Sequence, residues 1–552
     1  ARSGQVVGKA ELQGQLLGSS PLLHQLQRLA KQGGQMEHSA AALAASQADA
    51  GLFLQKLAAQ AAVNHSARWQ TWHAALLARD QAREACNPFY EAFPAALKQH
   101  MARFADLTGR RYELFEYVGH PEADRVIVTM GSSSECVHET VEYLQAQGQR
   151  VGLIKIRLLR PFSLVDFARV LPKTVRQIAV LDRTKEPGAV GDPLYLDVVT
   201  ALSEAVSDGL YPHLPKVIAG RYGLSSKEFT PAMVVAVFSE LAQASPRRHF
   251  TIGINDDVSK RSLDFDDSLG IEPADVVRAV FFGLGSDGTV GSNKNTIKII
   301  GEETDHFAQG YFVYDSRKAG AVTVSHLRFG PRPIRSTYKI RRAGFVACHQ
   351  PQLLDRFEMA ELADEGSTFL LNAPWPADRA FGFLPREVQQ LLIARKMRFF
   401  VIDGQRVAEE AGLGRMISTV MQTCFFALSG VLQKEVALDK IRQAAQKSYG
   451  KRGSEVVRRN LAAIDRTLDN LFEVAVPELP STQRSRPDIV PKTAPDFVQR
   501  VTANEKGDRV QLHTEMSMPL LRIPPDRFPQ FIDFARRIDA SEAGVALLSI
   551  TP

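Results

Sequence analysis

The chain has 552 residues, 45% of them hydrophobic, with 67 Lys plus Arg against 61 Asp plus Glu and a formal net charge of +6. That length implies several domains at roughly 100–200 residues each, and the hydrophobic content excludes a wholly disordered chain. The pI is near 9.0, but no Lys/Arg run is long enough to follow a phosphate backbone, so local anion sites are expected and a nucleic-acid partner is not.

Residues 1–65 are rich in Ala, Gln, Leu and Gly, as in Gln25-Leu26-Gln27-Arg28-Leu29-Ala30. Good helix formers in this density predict a helical extension, interrupted at Gly33-Gly34. From Val126 the pattern turns to α/β. Val126 to Met130 reads as a strand, Gly131-Ser132-Ser133-Ser134 as a turn, and Val137 to Gln147 as a helix ended by Gly148. Further strands are expected at Val151 to Ile156, Gln177 to Leu181 and Lys216 to Gly220. A second unit begins after the charged stretch around Asp256-Asp257. Its first strand is Val277 to Phe282, followed by a glycine loop and a helix to about Gly301; strands at Tyr311 to Tyr314, Val322 to Ser325, Gly344 to Ala347 and Ser367 to Leu371 continue it. Helices are expected to dominate from Pro385 to Val474. Beyond them Pro477, Pro480, Pro487, Pro491 and Pro495 mark a tail that cannot hold a long helix. The fold class read from this is α/β: two successive parallel-sheet α/β domains with helical N-terminal and C-terminal flanks.

The four cysteines, Cys86, Cys136, Cys348 and Cys424, are far apart in sequence and form no C-x-x-C pair. Iron–sulfur and structural zinc sites need converging thiolates, so no metal site is expected; Cys86 and Cys424 read as inert core thiols. Isolated buried cysteines indicate a reducing compartment. No apolar run reaches the ~18–20 residues of a membrane span, and the start at Ala1-Arg2-Ser3-Gly4 has no signal-peptide layout, so a cytoplasmic protein is expected. With no initiator Met, Ala1 is not expected to be the natural start.

The strongest local signal runs from Gly283-Leu284-Gly285-Ser286-Asp287-Gly288 through Gly291, Asn293 and Lys294. It matches G-x-G-x-x-G, follows an apolar strand and opens a helix. Glycines there let the backbone approach a phosphate, the helix N–H groups point outward, and Lys294 adds positive charge. Asp315 stands where a ribose-binding acid would, but Arg317 and Lys318 follow it at once. A phosphate-rich adenine ligand therefore describes the site better than plain NAD. Gly131 to Ser134 reads as a capped helix start and Asp182 to Gly188 as internal salt bridging or an interface. His138, His326 and His349 are solitary; His326, in Ser325-His326-Leu327-Arg328 at a strand end, is the one singled out.

Several segments resemble pyruvate:ferredoxin (flavodoxin) oxidoreductases: Glu84-Ala85-Cys86-Asn87-Pro88-Phe89-Tyr90, Leu114 to Gly119, Glu139 to Leu144, Arg157 to Phe162, Leu181 to Gly188, the Gly283 loop, Gly310 to Asp315 and His326 to Pro331. The resemblance runs from about residue 70 to about 502. It implies a helical end of a thiamine-pyrimidine domain at 66–123, a transketolase C-terminal-like domain at 124–250, a gamma domain contributing to coenzyme A binding at 275–475, and a Pro-rich linker with an unassigned tail at 476–552. The family's coenzyme A role carries onto Gly283, Gly285, Ser286, Gly288, Gly291, Asn293 and Lys294, with Ser325 and His326 as weaker candidates. No catalytic residue is assigned.

By this resemblance the chain is a middle portion of an enzyme that oxidatively decarboxylates pyruvate to acetyl-CoA, with thiamine diphosphate and 4Fe-4S clusters held by family domains it lacks. Its partners would be those thiamine-diphosphate and ferredoxin domains or subunits and a ferredoxin or flavodoxin acceptor, in a homodimeric full assembly. The chain alone is expected to be inactive. The alternative is a non-catalytic docking module of a fused redox protein, such as a flavoprotein sulfite reductase subunit.

Overall fold

The computed structural model describes residues 81 and 83–487, apart from 225–226, 255–257, 315–320 and 451–452, together with 493 and 495. The expected extension at 1–65, the residues Asp315, Arg317 and Lys318, and nearly all of the tail beyond 487 lie outside the described residues. The chain forms two compact units, and both α/β domains belong to the one spanning Lys98–Met518. Cys86 precedes the helix Asn87–Thr108 and is exposed, so it is not the core thiol that its apolar neighbours suggested.

The first domain is built on a seven-stranded sheet in the order β1-β3-β2-β4-β5-β6-β7. Its strands are β1 (Phe115–Gly119), β2 (Arg125–Met130), β3 (Val151–Ile156), β4 (Gln177–Asp182), β5 (Lys216–Arg221), β6 (His249–Ile252) and β7 (Ser262–Leu263). All neighbours are parallel except β1 against β3. The parallel strands β2, β3 and β4 are nearly all-apolar runs because helices cover both faces. Ser133–Ala146 and Pro231–Leu241 lie over one face. Leu164–Val170 and Pro193–Ser207 belong to the first domain as well, and Phe167 closes an aromatic group with Phe115 and Phe162. β1 escapes sequence reading because its middle carries Glu116, paired with Arg157 on the solvent side.

The second domain also has seven strands, ordered β14-β13-β12-β11-β8-β10-β9. They are β8 (Val277–Leu284), β9 (Phe307–Tyr314), β10 (Val322–Gly330), β11 (Ala343–Cys348), β12 (Ala363–Asn372), β13 (Arg398–Ile402) and β14 (Leu471–Val474). The middle four, β13, β12, β11 and β8, are parallel, whereas β10, β9 and β14 run antiparallel to their neighbours. Both sheets are thus mixed rather than purely parallel. The reason is in the connections: β9 returns to β10 within a few residues, too short for a parallel crossover. β13 and β14 also interrupt the stretch read as helical, since Arg398-Phe399-Phe400-Val401-Ile402 is a short apolar run whose periodicity does not separate strand from helix.

Helices Thr289–Glu303, Gly404–Glu410, Ser418–Ser429, Lys434–Tyr449 and Ser454–Thr467 pack on one face of this sheet. Its centre is an aromatic group in which Phe425 touches Phe281, Phe345 and Phe426 edge-on. Each such fully buried ring contributes about 1.5–3 kcal/mol. The shorter helices Ala377–Phe383 and Arg386–Ala394 cover the other face.

Between β10 and β11, residues 332–342 reach the first domain. Thr337 donates to the Ser132 carbonyl at 2.9 Å, while Ser336 and Tyr338 donate to Glu139 at 2.9 and 3.0 Å. Arg335 meets Glu135 at 3.0 Å, Arg341 meets Glu228 at 3.1 Å, and the Tyr338 ring joins the first domain's core. These contacts fall just beyond the carboxyl ends of β2 and β5, where open α/β sheets bind ligands. Here the chain itself fills that place.

Candidate functional site

The glycine loop stands at the carboxyl end of β8, and the helix Thr289–Glu303 begins directly after it. Gly288 (φ +88°) and Ser286 (φ +77°) both take left-handed backbone. The latter is uncommon for a residue with a β-carbon, and such strain is held where surrounding contacts fix it. Those contacts come from Asp287. Its carboxylate accepts from the Leu284 N–H at 2.7 Å and from the Thr289 N–H at 2.8 Å, while Gly285 N–H donates to the Ala321 carbonyl at 2.6 Å. Gly283 has to lack a side chain, because a β-carbon there would lie 2.8 Å from Thr289 Cβ and 2.9 Å from Asp287 Oδ2.

A buried polar set lies beneath the loop. Thr289, fully buried, shares a 2.7 Å hydrogen bond with His349 Nδ1. His349 directly follows β11, its N–H donates to the Phe282 carbonyl, and its own carbonyl accepts from Asn372 Nδ2 at 2.9 Å. Asn372 in turn accepts from the Gly404 N–H at 2.8 Å. The ends of β8, β11 and β12 are tied together in this way. Burial lowers the His349 pKa to about 4, against the pull of the nearby Asp287 charge, so the ring is neutral near pH 7. His349 Nε2, Asn293 Nδ2, Thr323 Oγ1 and Ser325 Oγ are buried without a hydrogen-bond partner among the described residues. Thr323 is registered opposite Gly283, and Ser325 opposite Phe281, on the sheet face that the loop's helix covers.

The candidates from sequence divide accordingly. Gly283, Gly285, Ser286, Gly288, Gly291, Asn293 and Lys294 are contiguous around the helix start, with Lys294 exposed and its ammonium 5.4 Å from the centre of the Phe312 ring. Ser325 is buried behind the helix. His326 alternates to the opposite face, where its Nδ1 accepts from the Ile340 N–H at 3.1 Å; burial first, then Arg328 and Lys339, lower its pKa to about 3. The loop does not bring His326 and Lys294 to one face. His349, Thr289 and Asp287 are the residues that sequence reasoning passed over. The available signal was position, since His349 directly follows a strand of a parallel sheet.

In the first domain the Gly131 turn differs from expectation. Ser132 precedes the helix but makes no side-chain cap; Ser133 instead bonds Thr129 at 3.0 Å and Tyr222 at 2.7 Å, bridging β2 to the end of β5. Asp182 accepts from the N–H groups of Leu194 and Tyr195, an internal use that stiffens the next helix start. Cys136, Cys348 and Cys424 are buried, and burial raises each thiol pKa. No group of three or more His, Cys, Asp or Glu among the described residues is arranged to hold a metal. The described residues therefore do not fit an iron–sulfur cluster. A cavity of 230 Å³ lies at the seam between the domains, lined among others by Thr230, Glu272, Arg278 and Arg341, and the glycine loop is not part of it.

Two mixed α/β domains joined at such a seam, with a strand-loop-helix turn at the carboxyl edge of the second sheet, form a two-domain α/β body. The family model described as pyruvate ferredoxin/flavodoxin oxidoreductase matches residues 278–470, and that described as pyruvate:ferredoxin oxidoreductase core domain II matches residues 123–223. The chain belongs to the pyruvate:ferredoxin/flavodoxin oxidoreductase family. It is 53% identical over 451 residues to a pyruvate-flavodoxin oxidoreductase of Rhodospirillum rubrum, covering 81% of this chain and 37% of that protein. It is 54% identical over 438 residues to one of Trichormus variabilis, covering 78% and 36% respectively. A pyruvate:ferredoxin oxidoreductase of Moorella thermoacetica is 47% identical over 437 residues, with 79% and 37% covered. The chain thus spans somewhat over a third of the length of these curated relatives.

Proposed function

We propose that this chain is the central portion of a pyruvate (2-oxoacid) oxidoreductase and that its second domain holds coenzyme A for acyl transfer. The observation that carries the reading is the loop itself, shaped by Ser286 and Gly288, opening a fifteen-residue helix with Lys294 in its second turn. In this reading the outer N–H edge of Ser286, Gly288 and Gly291 receives a phosphate oxygen, Lys294 supplies charge, and Asn293 and Ser325 lie on the buried side of the loop's helix. Thiamine diphosphate and iron–sulfur clusters, bound by other domains of the family, would supply the decarboxylation and electron-transfer chemistry. The electrons would pass to ferredoxin or flavodoxin, and the whole assembly would be a homodimer. The residues of this chain bind and orient the acyl acceptor. They perform no redox step alone, and the setting is cytoplasmic.

Titration calorimetry with coenzyme A tests the reading. A saturable heat that weakens about 5- to 10-fold in Lys294→Ala supports it, in line with the loss of one charge-assisted contact; no saturable heat overturns it. Pyruvate-dependent dye reduction by the isolated chain would overturn the assignment of redox chemistry to other domains.

A further inference from the structure

The glycine loop is already occupied by an anion of its own. Asp287 places one carboxylate oxygen on the Leu284 N–H and the other on the Thr289 N–H, the first residue of the helix. The first-turn N–H groups carry the positive end of the helix dipole, and a carboxylate seated there neutralises part of the field that would draw a phosphate. The seat is made for this carboxylate, since the missing side chain of Gly283 leaves the space in which Asp287 Oδ2 and Thr289 lie. Thr289 is held in turn by His349, a residue 1% exposed whose Nε2 has no partner among the described residues, nor has Asn293 Nδ2 one turn further along the helix. Two buried polar atoms without partners beside the same helix start are an independent sign that this end of the domain is built for polar contact beyond its own hydrogen bonds.

We propose that Asp287 is an affinity-tuning residue: an internal anion that weakens the loop's hold on a phosphate-bearing ligand and so keeps that ligand exchangeable. This rests on the assignment of coenzyme A to the loop. A ligand diphosphate approaching the outer N–H edge meets the repulsion of a fixed negative charge across one turn of backbone. Lys294, at the exposed side, offsets it. The loop is thereby tuned for a ligand that must leave after each acyl transfer.

Coenzyme A and pantetheine, which lacks the diphosphate, are titrated into the wild-type chain, Asp287→Asn and Asp287→Ser, at low and high salt. Serine removes the charge with a smaller side chain, so it covers the case in which the asparagine variant fails to fold. The expected result is coenzyme A binding ~3- to 10-fold tighter in the neutral variants, a gain that shrinks with salt and is absent for pantetheine. A cap that is merely structural would change both ligands alike. Equal or weaker coenzyme A binding in a folded variant overturns the inference while leaving the loop's assignment standing. No coenzyme A binding by wild type or variants overturns that assignment, and the inference with it.

Discussion

Thr289 Oγ1 and His349 Nδ1 lie 2.7 Å apart, both residues fully or almost fully buried, and this bond joins the glycine-loop helix to the end of β11. Replacing His349 with Ala leaves the Thr289 hydroxyl without its partner and opens a cavity. A loss of about 2–4 kcal/mol is expected in denaturant unfolding, and His349→Asn should recover part of it.

The same ring sets a pH dependence. His349 is neutral in the folded chain, with a pKa near 4 against an ordinary 6.5, and His326 is lowered further, to about 3. Unfolded chains therefore bind protons that the native state refuses as pH falls below 6.5. Stability should drop progressively from pH 6.5 to 4, by roughly 3 kcal/mol from His349 alone, and then level for that residue. Melting temperatures across this range, compared with those of His349→Asn, measure the contribution; an unchanged slope in the variant counts against it.

Gly283→Ala should act on the loop rather than on the rest of the sheet. The added methyl would meet Thr289 and Asp287, and neither can move without breaking its bond to His349 or to the backbone. An overpacking cost of about 1–3 kcal/mol is expected, together with weaker coenzyme A binding. Gly291→Ala, where a β-carbon meets nothing within 4 Å, should be near neutral for stability and is the control for the packing cost alone.

At the seam, Glu135 bonds the buried Lys155 at 2.5 Å and Arg335 at 3.0 Å. Burial works to raise its pKa, but the two cations outweigh burial and hold it below the usual carboxylate value. It therefore adds stability above the ordinary carboxylate pKa, and that stability is lost as pH falls through the lowered one. Glu135→Ala should cost about 3–5 kcal/mol because Lys155 loses its buried partner, whereas Arg335→Ala, at a half-exposed position, should cost at most about 1 kcal/mol.

Arg328 is the largest fully buried side chain among the described residues, 0% exposed, and its partner Glu272 lies 2.5 Å away. Glu272→Ala strands a buried guanidinium and should cost about 3–5 kcal/mol. Replacing both residues, as Arg328→Met with Glu272→Leu, should cost much less than the sum of the single changes. Urea unfolding of the three variants reads the coupling.

Much of this was legible in the residues. The strand Val151–Ile156 lies where its apolar run placed it, and the loop sits between strand and helix as its glycines require. What local pattern could not carry is long-range pairing. β1 and β14 are short edge strands, each interrupted by one glutamate, Glu116 and Glu473, and they are strands only because β3 and β13 offer them partners. For the same reason His349 looked solitary. Its neighbour Thr289 is sixty residues away in sequence and adjacent only after β8 and β11 pair. All nine positions of β10 are buried, its polar residues included, because β8 and β9 flank the strand and helices cover its faces.

The segment at 332–342 has a practical meaning for anyone recombining such chains. A boundary drawn between β7 and β8, where the two sheets separate in sequence, would part Glu139 and Glu228 from Tyr338 and Arg341. The first half would then present a wet gap at the carboxyl end of its sheet, and the second would carry an aromatic hook with nothing to hold. Transplants that respect the architecture must move both sheets together, or carry the hook along with the half that receives it.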